Sequence, residues 1–164
     1  MRRSSPIAVS AAAALLACAG DELTIRQRLI SEHDVTARYE TWVRSMNNRD
    51  TDSLAALYHQ VPELRVVWPD GRVSRGWEDV RTAQTAFFDG IERVNFVPQA
   101  REVAILSSTV AVTMLGYSLD VARFGGRRDE PASGIVTLIW VNDETDGLWK
   151  VHSQHVSVTP PPED

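Results

Sequence analysis

Four runs rich in Val, Ile, Thr and aromatic residues dominate the second half of the chain: Phe96–Ile105, Val110–Val121, Gly134–Val141 and Leu148–Val158. Their composition marks them as strands. The links between them are short and polar or glycine-bearing, namely Ser107-Ser108, Gly125 to Glu130, and Asn142 to Gly147. The runs therefore read as an antiparallel meander. Helical patterns precede them, so the expected fold class is α+β, with helices packed on one face of a curved sheet. At 164 residues the chain suits one domain, and a 43% hydrophobic content supports a packed core. Its single cysteine excludes an internal disulfide and a cysteine-based zinc site. A net charge of −5 gives no basis for nucleic-acid binding. No internal repeat is visible.

From Ile25 to Met46 apolar residues recur at helical spacing, with Val35, Tyr39, Trp42, Val43 and Met46 on one stripe. Gln27 to Asp34 is more polar and reads either as a separate turn or as an extension of that helix. Asp50 stands where an N-cap is wanted, and Leu54, Leu57 and Tyr58 give a short second helix its apolar side. Leu64, Val66 and Trp68 alternate with Arg65 and Val67 as in a strand. Pro69-Asp70-Gly71 then turns the chain into Arg72 to Ser74, the second arm of a hairpin. Gly76 opens a third helix, whose Trp77, Val80, Gln84, Phe87 and Ile91 share one face.

The N-terminus reads as an export signal. Arg2 and Arg3 precede an uncharged apolar run, Ile7 to Leu16, of about ten residues. That run is far short of the roughly 20 that span a bilayer. Leu15-Leu16-Ala17-Cys18 resembles a bacterial lipobox, in which the cysteine is acylated and becomes the new N-terminus. Ala17-Cys18-Ala19 also fits ordinary signal peptidase, which would release a chain starting at Gly20. The preferred division is a signal peptide over 1–17, lipidation at Cys18, a short tether over 18–24, a domain over 25–158, and a disordered tail over 159–164. Loss of residues 1–17 takes away two arginines and leaves 15 basic against 22 acidic residues, a net −7. Membrane attachment would then rest on the lipid alone, at the cell envelope, and not on a basic patch.

The order of these segments resembles the nuclear transport factor 2-like superfamily, and within it the SnoaL-like and ketosteroid-isomerase-like bacterial proteins. Four segments carry the resemblance: Asp50 to Tyr58; Trp68-Pro69-Asp70-Gly71 leading to Gly76-Trp77-Glu78-Asp79-Val80; Ser133 to Trp140; and Trp149 to Val158. In the last, His155 and Ser157 match the family's closing strand, while Ser153 and Gln154 replace its usual His and Glu. The resemblance implies a cone-shaped barrel of strongly curved antiparallel sheet that encloses a pocket with three helices, often dimeric through the outer sheet face. It implies no single activity, because the fold hosts isomerases, cyclases, dehydratases and association domains.

Regular alternation puts Trp149, Val151, Ser153, His155 and Ser157 on one strand face and Lys150, His152 and Gln154 on the other. Lys150 suits a closed interior poorly, so His155 is expected inward, as a catalytic acid or base or as a packed structural imidazole. Asp120 is a second catalytic candidate if buried, or a solvated strand-end carboxylate beside Arg123. Tyr39, Trp42, Tyr58, Trp68 and Phe87, with Ser157, are the candidate ligand wall, suited to a small, flat hydrophobic molecule. Trp140 and Trp149 read either as core or as partner-facing. The resemblance also implies an aspartate base near the end of the second helix. After Tyr58, however, the chain runs His59-Gln60-Val61-Pro62-Glu63, leaving only His59 or Glu63 as substitutes. No metal or cofactor is expected, since His152 and His155 point to opposite faces of one strand. Three functions remain open: acid/base chemistry on a hydrophobic ligand, non-catalytic binding, or dimeric association.

Overall fold

The computed structural model describes residues 23–160, so the expected signal sequence, the lipidation at Cys18 and the last four residues of the tail lie outside the described residues. The element order is α1 (Ile25–Asn48), α2 (Thr51–Ala55), β1 (Arg65–Val67), β2 (Val73–Arg75), α3 (Trp77–Phe88), β3 (Ile91–Ile105), β4 (Val110–Arg123), β5 (Ala132–Asn142) and β6 (Trp149–Val158). This is the expected α+β arrangement.

Helix α1 is continuous through the polar stretch. Thr24 starts it with a capping box: its hydroxyl accepts the Gln27 amide, and the Gln27 side chain accepts the Thr24 amide. Arg49 ends it in the left-handed conformation, φ 56°, with its amide bonded to Met46 O. Asp50 caps α2 as expected, accepting the Ser53 amide at 2.9 Å.

The six strands form one sheet in the order β2-β1-β6-β5-β4-β3. The meander β3 to β6 is antiparallel throughout, but β1 joins β6 in parallel, with Val66 opposite Gln154. The sheet is therefore mixed, because the β1–β2 hairpin follows α2 onto the free edge of β6. It does not close: β2 and β3 are its edges, which gives a curled cone.

Alternate residues of β4 and β5 face the helices. Ala111, Thr113, Leu115 and Tyr117 of β4 and Val136, Leu138 and Trp140 of β5 are buried against Val35, Tyr39 and Trp42 of α1. Trp140 and Trp149 both belong to this core, not to an outer surface. Gly134 lets β6 curl in tightly, since a Cβ there would sit 1.8 Å from Ser157 O.

Strand β6 departs from regular alternation. Trp140 pairs with Val151 and Ile139 with Ser153, so His152 is an extra residue in the ladder, a β-bulge. Trp149 and Val151 face inward before it, whereas Gln154 and Val156 face inward after it. One extra residue reverses every later side chain.

Candidate ligand-binding site

The helices and the concave sheet face enclose a cavity of about 620 Å³. That volume lies within the roughly 300–1,000 Å³ typical of small-molecule sites. Four of the six expected wall residues line it: Trp42 from α1, Tyr58 after α2, Trp68 at the β1–β2 turn and Phe87 of α3. Phe96 of β3 and Tyr117 of β4 add a stacked pair, with ring centroids 5.3 Å apart.

The other two wall candidates lie elsewhere. Tyr39 is buried between α1 and β3 beneath the Arg101 guanidinium, 5.1 Å from its ring centroid. Ser157 is on the outer face, where its hydroxyl donates to Ile135 O. The expectation that His155 faces inward is corrected by the bulge: it is exposed on the outer sheet face. Asp120 is exposed on the outer face of β4, and Arg123 pairs instead with Asp129 at 2.6 Å. His59 and His152 do come together, Nδ1 to Nδ1 at 3.1 Å, outside the cavity lining. Burial, followed by the neighbouring His59, lowers the His152 pKa. Glu63 is exposed and also absent from the lining. Among the described residues, no three His, Cys, Asp or Glu side chains converge as a metal site.

At the cavity floor lies a polar relay. The Trp42 indole Nε1–H donates to Tyr58 Oη at 3.1 Å, and Tyr58 Oη donates to Gln154 Oε1 at 2.5 Å. The donor sense is forced. An indole nitrogen can only donate, so the tyrosine oxygen accepts there and spends its one proton on Gln154. That in turn orients the glutamine amide: Oε1 is engaged and the NH₂ group is the free end. Gln154 is 4% exposed, yet among the described residues no buried side-chain polar atom lacks a partner. Its NH₂ group therefore opens into the cavity.

Gln84 of α3 completes the floor beside the Tyr58 hydroxyl. Burial pushes that hydroxyl up to about 12, against the opposing hydrogen bonds from Trp42 and Gln84. Tyr58 is thus a neutral phenol at physiological pH. Two ion pairs stand at the mouth, Asp70–Arg72 on the β1–β2 turn and Asp129–Arg123 on the β4–β5 hairpin, both at 2.6 Å. Hydrogen bonds from their arginines hold both carboxyls below the ordinary range, Asp70 chiefly through the Arg72 amide. They are accordingly weak bases.

One of the two missed floor residues left a trace in the sequence. Gln84 is a polar side chain on the apolar stripe of α3, which is how an interior hydrogen-bonding group reads. Gln154 was obscured by the bulge, which nothing in the residue types of β6 announces.

A mixed cone enclosing an apolar cavity over a neutral polar floor defines a class of cavity-bearing α+β domains. The chain belongs to the SnoaL-like domain family, whose model matches residues 35–161. Solved structures agree on the fold. A nuclear transport factor 2-like superfamily protein from Salmonella enterica superposes with a TM-score of 0.73 at 16% identity, over 82% of this chain and 95% of that one. A provisionally assigned scytalone dehydratase from Novosphingobium aromaticivorans gives 0.74 at 14% identity, over 84% and 89%. A ketosteroid isomerase-like protein from Erwinia carotovora gives 0.67 at 15% identity, over 80% and 98%. No curated protein matches the chain.

Proposed function

We propose that this SnoaL-like domain is a non-catalytic receptor for a small, flat, largely apolar molecule that carries a neutral hydrogen-bond acceptor such as a carbonyl. The observation that supports it is the Trp42–Tyr58–Gln154 relay, which leaves the Gln154 NH₂ as a free donor at the floor. The acid/base alternative drew on His155 and Asp120, and both lie outside the cavity. Dehydratase and isomerase names among the structural neighbours belong to proteins under 25% identical and bear on the fold alone.

Native mass spectrometry of the protein from a bacterial host, without added ligand, is the test. A retained adduct that Gln154→Leu weakens by about two- to tenfold, the worth of one neutral hydrogen bond, supports the reading. Conversion of the released molecule by the wild-type protein refutes it.

Two further parts of the reading concern placement and assembly. Export with acylation at Cys18 is supported by the Arg2-Arg3 pair, the apolar Ile7–Leu16 run and the Leu15-Leu16-Ala17-Cys18 motif. Cys18→Ser would then release the protein from the membrane fraction. A homodimer is supported by the outer sheet face, where Met114, Ile135 and Ile139 are all exposed. A strictly monomeric sedimentation profile at micromolar concentration argues against it.

A further inference from the structure

The exposed large apolar residues at one end of the sheet share a location. Asn142 N bonds Thr109 O, which brings the β3–β4 turn and the β5–β6 hairpin together, and Arg28 Nη1 ties the start of α1 to Ile105 O beside them. At this end Ile25 is 81% exposed, Leu106 63% and Leu29 61%, joined by Ile30 and Leu148. Ile25, Arg26, Leu29, Ile30 and His33 form one shallow groove along the first turns of α1. These turns lie beyond the part of α1 whose Val35, Tyr39 and Trp42 enter the core.

What covers this end follows from the length of chain leading to it. Leu23 packs against the core and Thr24 caps α1. Only four residues separate Leu23 from Cys18, and these five steps of chain reach about 17 Å even if fully extended. An acyl chain on Cys18 would hold this end of the domain against a bilayer.

We infer that the apolar end formed by Ile25, Leu29, Ile30, Leu106 and Leu148 rests on the lipid surface to which Cys18 is anchored. The inference rests on the lipoprotein reading given above. The contact is apolar in character: Arg26 and Arg28 on the first turns of α1 are offset by Asp143, Glu144 and Asp146 on the β5–β6 hairpin, where Lys150 is already paired with Asp143 and Asp146.

The geometry has a directional result. The cavity mouth is carried by the β4–β5 hairpin and the β1–β2 turn, at the far end of the strands. The 14 residues of β4 separate the two ends by about 40 Å of strand. The docked domain therefore opens its cavity away from the membrane.

The test uses the full-length protein processed in cells and reconstituted in phosphatidylcholine vesicles. An environment-sensitive fluorophore is placed at Leu29→Cys or, at the mouth end, at Arg127→Cys, and the mass of the mature N-terminal peptide is measured in parallel. The expected result is an acylated N-terminus, with a blue-shifted label at 29 that loses most of its emission to brominated lipid and a label at 127 that loses none. An acylated protein whose label at 29 is as unquenched as that at 127 overturns the docking and leaves the lipoprotein reading standing. An N-terminus at Gly20 without acyl chains overturns both. Shielding of position 29 without vesicles, growing with protein concentration, overturns the docking in favour of a second copy of the chain.

Discussion

Removing one oxygen from the cavity floor, by Tyr58→Phe, separates the relay from simple packing. Trp42 is 2% exposed and its indole N–H has Tyr58 Oη as its acceptor. The variant orphans that buried donor, at a cost of about 1–3 kcal/mol. It also removes the bond to Gln154, a loss of about 0.5–1.5 kcal/mol, since the freed amide oxygen can turn to water in the cavity. Together these give about 3 kcal/mol. For a domain of this size each kcal/mol moves the melting temperature by about 3–4 °C, so a drop of about 10 °C is expected by calorimetry. A double-mutant cycle with Trp42→Phe, followed by urea unfolding, should give a coupling of about 1 kcal/mol, because that second change removes the orphaned donor itself. The alkaline limb provides a second readout. Tyr58 has a raised folded pKa, about 12 against an ordinary 10.0, so its stabilisation is complete below pH 10 and is lost as the pH climbs to about 12. Wild type should thus lose about 3 kcal/mol that the Phe variant does not, and the two stability curves should converge. A variant that melts within about 2 °C of wild type, or a cycle that is purely additive, would refute the relay.

Three other substitutions probe the surrounding argument. Gly134→Ala should destabilise by about 3 kcal/mol or more in chemical denaturation, because its Cβ would collide with the backbone carbonyl of Ser157 and not with a yielding side chain. His155→Gln should change stability by less than about 0.5 kcal/mol and leave any retained adduct in place, since the imidazole is on the outer face; loss of the adduct would show that the strand faces are misassigned. Hydrogen bonds from Lys150 and then Thr145 hold the Asp143 carboxyl well below its ordinary 3.8, so its stabilisation is present above that value and is lost as the pH falls below it. Asp143→Asn should be less stable at neutral pH and should flatten the acid limb, as read by urea unfolding between pH 7 and pH 2.

Much of the fold was legible because it depends on pattern. The four strand runs, the Asp50 cap and the aromatic faces of α1 and α3 announce themselves by residue type and period. The Thr24–Gln27 capping box was passed over, because the polar stretch after it obscured the helix start. The parallel β1–β6 seam was not legible, since parallel pairing follows from where a hairpin docks and leaves no local signature. For the site, half the reading turned on one strand. Alternation placed Trp149 and Val151 correctly, and the same alternation, carried past His152, placed His155 inside and Gln154 outside. Period-2 reasoning counts residues, whereas the sheet counts rungs, and the two disagree at a bulge.

That extra rung has a bearing on how such cavities diversify. The residues following the bulge hold two alternative linings in the same ten-residue strand, one carrying a glutamine amide and the other an imidazole. Inserting or deleting a single codon near position 152 exchanges them wholesale, with no substitution at either lining position. A lineage with this strand stands one length change away from a cavity with a titratable floor, and drift in strand length is thereby a route between holding a ligand and acting on it.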